Sequence, residues 1–130
     1  MDHKTLRNAL ALHAFFFLAT MAIGQAGSGA HMTIADVKGK DLVCDLGTVA
    51  YDVRIVSDST FHWKDKSGHE ETNPLTLVDV DAHTALLGWD ENDSTFVSMV
   101  INVMHGTAHV VYLTRDREMG SFSGTLRVKE

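Results

Sequence analysis

From residue 41 onward the chain runs in short apolar stretches in which every second position turns polar. Val49, Tyr51, Val53 and Ile55 fall on one side of an extended backbone, with Thr48, Asp52 and Arg54 on the other. Phe61 and Trp63 oppose His62 and Lys64, and Phe122, Leu126 and Val128 oppose Ser121, Ser123, Thr125 and Arg127. A period of two marks a strand with one buried face, because successive side chains of extended chain point to opposite sides. The pattern predicts eight strands, over residues 41–46, 48–56, 60–64, 75–80, 84–89, 95–103, 107–113 and 121–128. Between them stand residues that accept or solvate a turn, such as Gly47, Ser57-Asp58-Ser59, Lys66-Ser67-Gly68 and Met104-His105-Gly106. No stretch past residue 41 keeps a helical period for three turns.

Strands at this spacing, joined by short turns, form an antiparallel meander. Left open, the sheet would expose two unpaired edges; closed, it becomes an up-and-down barrel with an interior. The predicted fold class is therefore all-β, an eight-stranded antiparallel barrel of the lipocalin-like kind. A sandwich with Greek-key links is the alternative, and the short connections argue against it. Eight strands leave an interior that is either filled by side chains or wide enough for one small ligand.

The strand at 95–103 departs from alternation, being apolar on both faces. Placing Phe96 and Val100 inside also turns Ser98 and Asn102 inward, and leaves Val97, Met99, Ile101 and Val103 outside. An outer face of that kind needs a cover, either a second copy of the chain in a homodimer or the N-terminal segment. On the next strand His109 shares a face with Val111 and Leu113. The expected ligand-binding lining is then Tyr51, Trp63, Trp89, Ser98, Asn102 and His109, an apolar cavity with a few converging polar groups. The alternative is that these polar groups satisfy one another within a filled core.

The first 26 residues follow a different rule. Lys4 and Arg7 precede an apolar run over 9–23, and Gly24-Gln25-Ala26 supplies small residues flanking a cut. A basic start, a short apolar centre and a small-x-small exit describe a signal peptide. The run is shorter than the roughly 20 residues of a membrane span, with an uncleaved anchor as the alternative. The expected location is secreted or periplasmic, with no stable membrane span after cleavage. Residues 27–37 are expected to be a flexible mature N-terminus or in part a cloning scar, and 38–130 the barrel domain.

Composition narrows the function classes. Of 130 residues, 45% are hydrophobic and 22% charged, ordinary for one folded domain. Removing the leader takes away Lys4, Arg7 and Asp2, leaving nine basic and sixteen acidic residues and a net charge of −7. Without a basic cluster, such a surface argues against nucleic acid as a partner. Cys44 is the single cysteine, so no intramolecular disulfide forms; its apolar strand points to a buried filler, with a reactive thiol as the sharper reading. His62, His69, His83, His105 and His109 lack acidic or cysteine partners at ligand spacing, so no metal or cofactor is expected. Ser98 has no Gly-x-Ser-x-Gly frame, and no phosphate loop or dinucleotide fingerprint is present.

Three stretches, taken in order, carry a resemblance. They are Tyr51-Asp52 with Asp58-Ser59-Thr60-Phe61-His62-Trp63, then Leu86-Leu87-Gly88-Trp89-Asp90-Glu91, then Ser94-Thr95-Phe96-Val97-Ser98 through Val111-Tyr112. This order resembles the MoaF-like family of small calycin-type barrels, over roughly residues 38–128. The resemblance implies the barrel that the strand pattern predicts independently, and implies little about activity. The related phenolic acid decarboxylases carry paired tyrosines on the first strand and an arginine and a glutamate deeper inside. Here the first strand reads Asp41-Leu42-Val43-Cys44-Asp45, and no arginine lies between Arg54 and Arg115. Decarboxylation is therefore not implied. The leading expectation is an exported barrel binding a small, partly apolar molecule. The alternatives are an assembly module using the outer face of residues 96–103 and, third, an enzyme of unknown reaction.

Overall fold

The computed structural model describes residues 32–130. The signal peptide expected over residues 1–26 lies outside them. A short helix α1 (Ile34–Val37) leads into β1 (Leu42–Asp45), β2 (Ala50–Ser57), β3 (Thr60–Asp65), β4 (Glu70–Asp79), β5 (Thr84–Asp90), β6 (Phe96–Asn102), β7 (Thr107–Leu113) and β8 (Met119–Val128). Each strand pairs antiparallel with the next, and β1 pairs with β8 through Leu42–Val128 to Asp45–Thr125, closing the barrel. Closure requires close approach: a Cβ on Gly124 would run into the backbone of Asp45 and Leu46, so only glycine lets β8 meet the end of β1 here.

A closed meander places its turns at two ends. At one end lie the turns after β2, β4 and β6, and there α1 sits as a plug. The Ile34 amide donates to the Ala82 carbonyl at 2.8 Å, His83 Nδ1 lies 2.8 Å from the Met32 carbonyl, and the Gly39 amide donates to the Ile55 carbonyl at 2.8 Å. Thr33 and Asp36 form a capping box, each side chain accepting from the other's backbone amide. Ile34 and Val37 are buried against the barrel interior, where Leu42, Ile55, Leu87 and Ile101 fill the space. Part of the segment expected to be flexible, residues 32–37, is thus a structural element: its apolar pair closes one end of the barrel.

The strand at 96–102 runs in the opposite phase to the expectation. Val97, Met99 and Ile101 point inward and are buried, and Val103 packs partly against the core. They are not an outer interface. The reason lies in the hairpin register. The turn between β5 and β6 pairs Trp89 with Val97, Leu87 with Met99 and Ala85 with Ile101, and directly paired residues share a face. Since Trp89 and Leu87 are inside, so are their partners. A different turn length would have reversed every side chain. The strand's outward apolar residues are Phe96 and Val100, both exposed.

β4 also begins earlier than expected, at Glu70 rather than Leu75. Its first inward positions are Glu71 and Asn73, and a polar inner face conceals a strand from a hydrophobicity pattern.

Candidate functional site

The end of the barrel opposite α1 is not filled. A cavity of about 330 Å³ opens there, walled by Val53, Phe61, Val97, Met99, Val110 and Phe122. Tyr51, Trp63, Trp89 and Tyr112 bring aromatic surface to it, and Glu91, Thr95 and Thr114 stand among its lining residues. Eight strands thus give an interior that is packed at the plugged end and vacant at the other.

Aromatic packing sets the wall. Phe61 lies against Trp89 with ring centroids 4.3 Å apart, and Tyr51 meets Trp63 edge-on at 5.9 Å. Tyr112 stacks with Phe122 at 5.7 Å. The Tyr112 ring lies over Gly120, where any Cβ would collide with it. Cys44 is part of the wall; burial pushes its thiol up to about 11, with the Asp45 charge adding to the shift. A thiol so held is a poor nucleophile.

A buried polar network stands beside the cavity. Trp63 Nε1 donates to Asn73 Oδ1 at 3.0 Å, and Asn73 Nδ2 donates to Glu71 Oε1 at 3.1 Å. The Asn92 amide donates to the same Glu71 oxygen at 2.8 Å, and His69 Nε2 lies 3.0 Å from Glu71 Oε2. Burial alone would raise the Glu71 carboxyl, but the Asn92 amide, His69 and Asn73 together outweigh it and hold the group below its ordinary value. The same bond to Glu71 raises His69.

Glu91 is held differently. Burial, then the Glu71 and Asp93 charges, push its carboxyl up to about 7. The Trp89 indole and His69 oppose the shift and do not overcome it. Trp89 is itself 7% exposed, and among the described residues its Nε1 makes no hydrogen bond of good geometry. It lies near enough to the Glu91 carboxyl to favour its charged form. Glu91, with its carboxyl raised to about 7, and Trp89 thus stand side by side in the cavity lining.

Of the six residues expected to line the interior, Tyr51, Trp63 and Trp89 do so. Ser98, Asn102 and His109 face outward, for the reason given for β6. His109 pairs across strands with Val100 and Ser123, and its Nδ1 lies 2.9 Å from Ser123 Oγ. Asn102 Nδ2 donates to Thr84 Oγ1 at 3.2 Å while its Oδ1 accepts from the His105 amide at 2.8 Å. These residues shape the outer sheet and its turn. Glu91, Glu71, Asn73 and Tyr112 were not foreseen. Glu91 had a signal, since Leu87, Trp89 and Glu91 continue one period-two face into what reads as a turn. Among the described residues, no group of three or more histidine, cysteine or acidic side chains is arranged to hold a metal ion.

The MoaF-like family model matches residues 38–127, which is nearly all of the barrel. No curated protein matches the chain. Among solved structures, the chain is similar to a crystal structure of a "putative beta-lactamase" from Burkholderia vietnamiensis, at 18% identity with a TM-score of 0.66. The match covers 71% of this chain and 94% of that one, and at this identity it speaks for the shared fold alone.

Proposed function

We propose that this chain, which belongs to the MoaF-like family, is an exported barrel that binds a small, partly apolar molecule in the open end of its interior. The cavity carries the reading. Its volume of about 330 Å³ falls at the lower end of small-molecule sites, which run from roughly 300 to 1,000 Å³. Apolar walls with a few polar groups at one end are the arrangement that binds and orients such a molecule. A barrel under selection for stability alone would gain by filling this space, since voids forfeit packing. Export is supported by the leader pattern of Lys4, Arg7, the apolar run and Gly24-Gln25-Ala26, and the protein is secreted or periplasmic on that reading. Self-association through Val97, Met99 and Ile101 drops out, because those side chains are inside.

Both tryptophans of the chain line the cavity, so intrinsic fluorescence reports its occupancy directly. The neutral probe N-phenylnaphthylamine is expected to quench the cleaved protein saturably. Val110→Phe, which fills the wall from β7, is expected to weaken that binding at least about tenfold while circular dichroism stays unchanged. Equal binding by the filled variant, or no saturable quenching, would overturn the reading.

A further inference from the structure

We infer that the outer face of β5–β8 joins this chain to a second copy of itself, in a weak face-to-face homodimer. The inference stands apart from the cavity, which opens at the end of the barrel rather than on its side.

The exposed apolar side chains are not scattered. Nine large ones are exposed among the described residues, and six of them, Leu86, Phe96, Val100, Val111, Leu113 and Met119, share this face. Register makes them contiguous. Leu86 pairs with Val100 across β5 and β6, Phe96 with Leu113 across β6 and β7, and Leu113 with Met119 across β7 and β8. Directly paired residues share a face, so these form rows across the sheet. Val111 stands between the rows, two residues from Leu113 on the same side of β7.

The face is also nearly free of charge. Its remaining outward positions are serines, threonines, Gly88, Asn102 and His109, with a single aspartate, Asp90, at one corner and no lysine, arginine or glutamate. The other side of the barrel is built the opposite way. There Asp52 pairs with Lys64 across β2 and β3, Arg54 meets Asp41 at 2.6 Å, and Lys129 meets Asp52 at 2.7 Å. Single exposed apolar residues need no explanation, but a contiguous apolar face depleted of charge has the composition of an interface core.

Charge and chain length select the occupant. On the leader reading only Gly27-Ser28-Gly29-Ala30-His31 precedes Met32 in the cleaved chain, a stretch too short and too polar to cover four strands. Met32 is itself held at the plugged end, its carbonyl 2.8 Å from His83 Nδ1. A barrel that crossed a membrane would be apolar all round, which the charged side forbids. The chain carries a net charge of −6, so two copies repel, and this face lets them approach with only Asp90 from each between them.

Size sets the strength. An outward position on a sheet occupies about 33 Å², from a strand spacing of about 4.8 Å and two residues of about 3.4 Å along the strand. Four such positions on each of four strands give sixteen, or about 500 Å² per copy. Two copies would together bury about 1,000 Å², at the lower limit of a specific interface and short of the roughly 1,200–2,000 Å² of a standard one. A convex wall brings β6 and β7 to the partner first, so Phe96, Val100, Val111 and Leu113 form the centre. The expected dissociation constant is on the order of tens of micromolar. At the few-micromolar concentrations of an unfolding experiment such a dimer is largely dissociated and adds little to stability.

Sedimentation velocity of the cleaved protein, from about 2 µM to about 500 µM, tests this. A monomer is expected at the dilute end and mostly dimer at the concentrated end. Val111→Lys at the centre and Leu113→Gln beside it are each expected to weaken association at least about tenfold. Val56→Lys is the control. Its side chain is as exposed, 48% against 46% for Val111, but lies on the outer face of β2, and its substitution is expected to leave association unchanged. Circular dichroism checks that each variant keeps its fold. A monomer at every concentration, whether or not it sediments with phosphatidylcholine vesicles, would overturn the inference. So would association that both centre variants retain, or that Val56→Lys disrupts as much as they do.

Discussion

Asn73 is 2% exposed and stands between two groups that need it. Its Oδ1 accepts from the Trp63 indole at 3.0 Å, and its Nδ2 donates to Glu71 at 3.1 Å. Asn73→Leu keeps the volume and removes both bonds. The indole N–H is then a buried orphan, costing about 1–3 kcal/mol, and Glu71 loses a bond to a charged acceptor, worth about 1.5–3 kcal/mol. The Asn92 amide and His69 remain on Glu71, which keeps the sum to about 3–4 kcal/mol. For a domain of this size stability is about 5–15 kcal/mol, so the loss is large but survivable. Urea denaturation followed by circular dichroism measures it. The double variant Trp63→Phe with Asn73→Leu removes both ends of the indole bond, and its cost is expected to fall short of the sum of the single costs by about 1–2 kcal/mol. A loss below about 1 kcal/mol for Asn73→Leu, or strict additivity, would refute the claim that this network holds the cavity wall.

Three further outcomes are expected. Glu91 is raised above its ordinary 4.5, so the folded state holds its proton more tightly than the unfolded chain, and its contribution to stability is lost as pH rises from about 4.5 through about 7. A shift of that size is worth at most about 3 kcal/mol, and partial exposure reduces it to about 1–2 kcal/mol. Glu91→Gln is therefore expected to match the parent near pH 4.5 and exceed it by about 1–2 kcal/mol at about pH 8 in thermal or urea unfolding. Ile101→Lys is expected to abolish folding by burying an unpaired charge, while Val100→Lys, one residue away and facing out, leaves thermal stability within about 0.5 kcal/mol; equal effects would contradict the register of β6. Cys44, its thiol pushed up to about 11 inside the wall, is expected to resist iodoacetamide at about pH 8 and to react only once guanidinium unfolds the chain, as followed by mass spectrometry.

The fold was open to reading because strands of a closed meander are half-buried, and half-burial writes a period of two into the sequence. Tyr51, Trp63 and Trp89 were legible for that reason: each is a large residue on the apolar side of a cleanly alternating strand. β6 was not, because both of its faces are apolar and its phase is set by the five-residue turn of Glu91–Thr95, where the Glu91 amide donates to Thr95 and Ser94 adopts a φ of 70°. Pattern cannot supply that register; turn geometry does. The inversion carried Ser98, Asn102 and His109 to the wrong side together. Glu71, Asn73 and Glu91 were hidden for the opposite reason. They are polar residues on an inner face, and their burial is made tolerable by partners that come together only when β4, β5 and the intervening turns are assembled.

The most direct test is a nitrogen–proton correlation spectrum of the cleaved protein, its two tryptophan indoles included, on addition of N-phenylnaphthylamine. Trp63 and Trp89 both line the cavity, and Trp63 Nε1 donates to Asn73 beside it. Saturation is expected to move both indole resonances, while the amides of Ala82 and His83 at the α1 end stay in place. Indole resonances that stay in place while the probe binds, or shifts confined to the α1 end, would contradict the account.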